Sequence, residues 1–266
     1  MSADRGRDAS RRAEQALGRR RFLTGAAAVG VGLAGLGVAP AEAFAAGGPG
    51  NEGVQDIINI ALIAEQLATT FYYTGLTTPA VQRDKRAAGS SADPNRVAPD
   101  GTPANVDFLQ AALDQEQKHA RILSNAGATS PYTGFYFPAA AFAGLGFTSH
   151  VGTFLWVLDH LETAFIGAYI AAVRRFGELE RPDQATVALR FLGVECQHRS
   201  LYRAIARDDP ADNLSLEVAQ FALVSDAAVA LTPFLTGKGF LGGATGAFTI
   251  PTMDQITLAV GKNTSL

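Results

Sequence analysis

Six residues of this chain have types and spacings that suit metal binding. Glu65 interrupts an apolar run, Glu116 is followed three positions later by His119, Glu162 interrupts another apolar run, and Glu195 is followed by His198. The order is Glu, Glu-x-x-His, Glu, Glu-x-x-His. Three residues along an α-helix advance about 300°, so each Glu and its His rise from adjacent turns toward one side and can grip one object. The neighbours say which side that is. Leu109, Leu113, Ala120 and Leu123 flank Glu116 at helical spacing, and Ala188, Phe191, Leu192, Tyr202 and Ile205 flank Glu195, so these acids face a core. A carboxylate buried without a partner costs several kcal/mol or takes up a proton, and four meeting in one core would compound that cost. Two divalent cations would balance four carboxylates, with the two imidazoles as neutral ligands. With a single cysteine, Cys196, thiolate-rich zinc sites are excluded, so the ligands must be oxygen and nitrogen.

Four long helices are needed to carry these residues. Apolar spacing over Val54, Ile57, Ile58, Ala61, Leu62, Leu67 and Ala68 predicts a first helix over about 52–73. A second is expected over about 103–125, opened by Pro103 and stopped by Gly127; a third over about 149–176; and a fourth from Pro182 to about 207, ended by Asp208, Asp209 and Pro210. Between the first two, residues 75–103 are rich in Pro, Gly and Ser and read as a long surface crossover. The aromatic segment 130–146 reads as packing on the bundle or on a neighbouring subunit. Beyond residue 210 the pattern predicts a fifth apolar helix over about 216–235, kinked or ended by Pro233, then a Gly-rich loop over 237–246 and a short helix over 252–260. The fold class is all-α, with no β-hairpin signal. The expected organisation is residues 1–45 as a leader, 51–210 as a four-helix bundle and 211–266 as a C-terminal helical extension.

The leader reading rests on Arg19-Arg20-Arg21-Phe22-Leu23, which resembles a twin-arginine export signal. A mild apolar run over 25–38 and small-residue cleavage sites near 41–45 follow it. The run is too short for a stable membrane anchor of about 20 residues. Export through the twin-arginine translocase to the periplasm, cell wall or exterior is the expected localisation. Removing residues 1–43 leaves 15 basic and 21 acidic side chains, which speaks against nucleic acid as a partner.

The ligand order resembles the ferritin-like di-iron and di-manganese carboxylate proteins, in which two helices give one Glu each and two give Glu-x-x-His. Phe135-Tyr136-Phe137-Pro138, Leu161-Glu162 with Ala168-Tyr169-Ile170-Ala171-Ala172, and Val194-Glu195-Cys196-Gln197-His198-Arg199-Ser200-Leu201-Tyr202-Arg203 are similar to the branch often labelled desiccation-related. The resemblance covers about 51–207. It implies a ferritin-like four-helix bundle with two metal ions, iron or manganese, Glu116 and Glu195 bridging. Glu65 with His119 would complete one ion, and Glu162 with His198 the other. It further implies oxidoreductase chemistry with O2, peroxide or ferrous iron as small-molecule substrate, ferroxidase-like or peroxide-detoxifying, in stress protection, and leaves room for a homo-oligomer. Two alternatives stay open: manganese-catalase-like dismutation of H2O2, and a non-enzymatic desiccation-related protein whose metals only staple the bundle.

Other residues carry weaker signals. Tyr72, Tyr169 and Tyr202 each fall seven residues after a candidate ligand Glu, hence on its face, and could hydrogen-bond ligands or serve as core aromatics. Asp159 is a candidate to orient a ligand histidine or a solvated acid. His150 and His160 lack ligand spacing, Asp226 reads as a helix-end device or a surface break, and Cys196 as a buried inert thiol.

Overall fold

In the computed structural model, residues 52–84, 104–208 and 210–261 are described. The expected leader, the Gly-rich stretch at 46–50, Pro103, Asp209 and most of the expected crossover lie outside them.

Four long helices carry the fold: α1 (Val54–Thr77), α3 (Ala104–Asn125), α4 (Phe154–Glu178) and α5 (Pro182–Ala206), with a four-residue α2 (Pro79–Gln82) after α1. Local chemistry sets their ends. The Asp56 carboxylate accepts the Gly53 N–H at 2.9 Å at the start of α1, and Pro182 occupies the first turn of α5, where its missing N–H costs nothing. Arg207 closes α5 in the left-handed conformation at φ 62°. The helices pack mainly as two pairs, α1 with α3 and α4 with α5, which also meet across α1–α4 and α3–α5. Helix α4 is long and apolar enough to cross a bilayer, yet 67% of its most apolar window is buried inside the fold. Its apolar character is that of a core helix.

Helix α1 runs past Gly75, which the sequence pattern assigns to the crossover. A Cβ at Gly75 would sit 2.1 Å from the Phe154 ring, so only glycine lets α1 continue against the start of α4. Phe71 stacks on Phe154 at 4.8 Å between ring centroids and meets Phe137 at 4.8 Å, so the aromatic segment packs on the bundle.

Two short strands depart from the strand-free expectation. β1 (Gly134–Pro138) pairs antiparallel with β2 (Ala244–Thr249), Gly134 opposite Thr249 and Pro138 opposite Ala244, with an irregularity between Phe135 and Phe137. The glycine-rich tail, read as loop, supplies half of this ribbon. Phe248 packs on Phe142 at 5.3 Å and anchors the tail to the aromatic cluster.

The expected fifth helix is shorter and divided, into α6 (Val224–Ala230) and α7 (Thr232–Thr236). Residues 216–223 are not helical, and Leu216 is 84% exposed. Pro233 lies in the first turn of α7 and does not kink a longer helix. The start of α6 is fixed from a distance. Buried Glu52 accepts the N–H groups of Val224 at 3.1 Å and Ser225 at 2.6 Å, while Asp226 accepts that of Leu223 at 2.9 Å. Asp226 is thus a helix-start cap. α6 packs on α1 and α4, and α8 (Met253–Val260), opened by a reciprocal Thr252–Gln255 capping box, packs on α3. Replacing Glu52 by Ala leaves two N–H groups without their acceptor. The expected loss is roughly 2–3 kcal/mol, or about 5–10 °C in Tm by thermal denaturation, with metal content unchanged.

Candidate metal centre

Each long helix delivers its acid to the same place. Glu65 from α1, Glu116 from α3, Glu162 from α4 and Glu195 from α5 are all 0% exposed, and His119 and His198 are 6% and 2% exposed. The side chains fall into two overlapping groups, each with its potential ligand atoms within 4.8 Å of one another. One is Glu65, Glu116, His119 and Glu195; the other is Glu116, Glu162, Glu195 and His198. Glu116 and Glu195 belong to both. These buried clusters could hold metal ions.

Both imidazoles present Nδ1 to the cluster. His119 Nδ1 lies 3.3 Å from Glu65 and 3.2 Å from Glu195; His198 Nδ1 lies 2.8 Å from Glu116, 3.3 Å from Glu195 and 3.7 Å from Glu162. Proximity does not satisfy these atoms. Both oxygens of Glu116, both of Glu195, Glu162 Oε2 and His198 Nδ1 are buried without a partner in hydrogen-bonding geometry. Such atoms are rare in native proteins because each costs about 1–3 kcal/mol, and more when charged. A cation among them would satisfy the whole set at once.

The protonation states carry the same message. Burial first, then the Glu195 and Glu65 carboxylates, raise Glu116 well above the usual carboxylate range. Burial, Glu195 and Glu116 raise Glu162 likewise. Burial alone would also raise Glu195, but His119 and His198 beside it outweigh burial and hold it below that range. Burial opposes protonation of His119, yet Glu65 and Glu195 push it up to about 11. His198 is raised too, by Glu195 and Glu162 against burial. Gathered carboxylates in a buried site thus favour bound positive charge.

The tyrosines exchange partners across the bundle. Tyr72 on α1 donates to Glu162 on α4 at 3.4 Å, while Tyr169 on α4 donates to Glu65 on α1. Tyr202 on α5 also donates to Glu162, at 2.9 Å. Burial, with Glu65 next for Tyr169, keeps Tyr169 and Tyr202 well above the ordinary phenol value, so both remain donors. Each outer glutamate is therefore oriented by a tyrosine of the opposite helix pair.

Sequence spacing missed two supporting residues. Gln115 Oε1 lies 2.7 Å from His198 Nε2, which fixes the ring with Nδ1 toward the carboxylates. Phe191 stacks on the His119 ring at 4.1 Å between centroids. Gln115 was signalled only by adjacency to Glu116, and helical spacing placed Phe191 on the face of Glu195 without its contact with His119. Asp159 does not orient a ligand histidine: it faces Arg199 at 4.0 Å and Arg203 at 3.8 Å. His160 stacks on Trp156 at 4.0 Å with Nδ1 2.8 Å from the Trp156 carbonyl, and exposed His150 meets Ser149; neither joins the ligand groups.

Cys196 is half-buried, and burial followed by Glu217 pushes its thiol up to about 11. Only about 0.1% is then thiolate at pH 8, against roughly a quarter for an ordinary thiol. Alkylation by iodoacetamide at pH 8 is expected to run roughly 200-fold slower than in unfolded protein, followed by mass spectrometry.

A family model described as the ferritin-like domain matches residues 53–208, which contain all six clustered residues. The chain belongs to the ferritin-like domain family. The comparisons with curated proteins and with solved structures returned no match.

Proposed function

We propose that the protein is an exported binuclear metalloprotein whose two ions are iron or manganese. Glu65 and His119 would hold one ion, Glu162 and His198 the other, and Glu116 and Glu195 would be shared. The observation that carries this reading is the set of five buried carboxylate oxygens without hydrogen-bond partners, drawn from Glu116, Glu162 and Glu195 on three helices. One nitrogen and several carboxylates per ion suit iron or manganese better than a soft thiolate metal. A bound pair of this kind supplies two-electron redox chemistry with O2 or peroxide. The protein's own contribution is positional. Gln115 holds the His198 ring, and Tyr72, Tyr169 and Tyr202 keep donated hydrogen bonds on the outer glutamates. The greasy walls exclude bulk water. Stress protection by ferrous iron oxidation or peroxide removal fits these parts, after translocation by the twin-arginine route.

Elemental analysis of protein purified after native export tests the metal assignment, with two ions of iron or manganese per chain expected. Turnover assays with ferrous iron plus O2, and with H2O2, test the reaction. Oxygen evolution from H2O2 by a manganese-loaded centre would favour catalase-like dismutation. Two bound metals that raise Tm, with no turnover of any of these substrates, would assign the centre a structural role. Absence of metal from exported protein would overturn the reading.

A further inference from the structure

The two halves of the cluster repeat each other but are not equal. Seven residues after Glu195, Tyr202 fills its place and donates to Glu162. Seven residues after Glu116 stands Leu123, which has no hydroxyl to offer Glu65. Leu123 instead lines a cavity of about 240 Å³ between α1, α3, α4 and α5, walled elsewhere by side chains such as Ile57, Ala172 and Ala188. At its inner end lie Tyr169 and Phe191, the residues that hydrogen-bond Glu65 and stack on His119. Ile122, 46% exposed, exposed Asp183 and half-buried Gln184 form the outer rim. Among the described residues, no cation lines the cavity.

We propose that this cavity binds a neutral, mainly aliphatic small molecule and holds it against the Glu65–His119 half of the cluster. An apolar cavity of roughly 150 Å³ accepts benzene, about 25 Å³ per non-hydrogen atom, so this one takes about nine or ten such atoms. Its walls offer dispersion contacts and almost no polar partner, which excludes a charged or strongly hydrated body. Asp183 at the rim disfavours a carboxylate or phosphate head and suits a hydroxyl donor. The significance of the placement for catalysis rests on the metal reading; the binding itself does not.

The test uses 1-octanol as probe, titrated calorimetrically into the full chain with and without bound metal, and octanoate as the charged counterpart. Saturable one-to-one binding of 1-octanol is expected in both states, with octanoate at least about tenfold weaker. Ala188→Phe fills the cavity and should weaken 1-octanol binding at least about tenfold while metal content is kept. Asp183→Lys, at an exposed rim position, should narrow the preference for 1-octanol over octanoate without loss of fold. Isotope-filtered NMR on metal-free protein should give contacts from the octanol methyl to the Tyr169 and Phe191 rings. No saturable binding, unchanged binding in a folded Ala188→Phe variant, or methyl contacts elsewhere would overturn the proposal. Binding of 1-octanol to a protein that proves to hold no metal would leave the cavity assigned and refute only the metal centre.

Discussion

Glu65→Ala is expected to retain one metal ion per chain, whereas the double variant Glu116→Ala, Glu195→Ala is expected to retain none. The asymmetry follows from membership. Glu65 belongs to one ligand group, while Glu116 and Glu195 belong to both. Removing Glu65 leaves the group of Glu116, Glu162, Glu195 and His198 complete. Removing the shared pair leaves each ion with one outer glutamate and one imidazole, and takes away the charge that binds a dication in a core of low dielectric. Elemental analysis of the purified variants reads the result directly, with Glu178→Ala on the surface of α4 as the control that keeps both ions. Retention of two ions by the double variant would refute the shared-ligand geometry, and equal loss in Glu65→Ala would refute the division into halves.

The long helices were legible because their stripes are periodic and their ends carry recognisable chemistry, as at Pro182. The acids were legible for a related reason: a Glu inside an apolar stripe has no solvent to face, so four of them on four helices imply one meeting point. The partners of those acids were not. Helical spacing places Tyr72 on the face of Glu65, yet its hydroxyl reaches Glu162, because a residue two turns away points at the neighbouring helix and not along its own. Gln115 was hidden for the opposite reason, since adjacency to Glu116 says nothing about reaching across to α5.

Elements outside the bundle were harder to read, because distant partners define them. β1 is five residues of a Gly- and Pro-flanked aromatic segment, and its partner strand lies in a Gly-rich tail about a hundred residues later. No local turn signals such a pair. The apolar run at 216–235 shows helical spacing throughout, but Glu52 accepts the N–H groups of Val224 and Ser225, and that long-range contact marks where α6 begins.

Removal of metal is expected to make the protein's stability fall as pH rises from about 5 to 9, and the stabilisation by metal to grow over the same interval. Glu116 and Glu162 have folded-state values raised above the unfolded carboxylate value. The proton each holds in the folded state stabilises fully below about 4.5, and this contribution is lost as pH climbs toward the folded value. His119 has the same sign. Raised to about 11 by Glu65 and Glu195 against the effect of burial, it contributes fully below the unfolded value of about 6.5 and loses that contribution as pH rises through about 11. Within the cluster Glu195 runs the other way: held below the usual range, it contributes above about 4.5 and its contribution is lost only as pH falls into the acid limb. Outside the cluster His160, lowered by burial, also runs the other way, and the cluster's raised groups outnumber it. His198, raised by Glu195 and Glu162 against burial, has the same sign as His119, so between pH 5 and 9 the four raised groups act together. Metal reverses the dependence, because its ligands must give up their protons to bind, so loading releases protons at neutral pH and strengthens as pH increases. Thermal denaturation of metal-free and metal-loaded protein at pH 5.5, 7 and 8.5 would read both effects, and calorimetric titration in buffers of different ionisation enthalpy would count the protons released. A metal-free protein whose Tm rises across this range would mean that the four carboxylates are not gathered in one buried cluster.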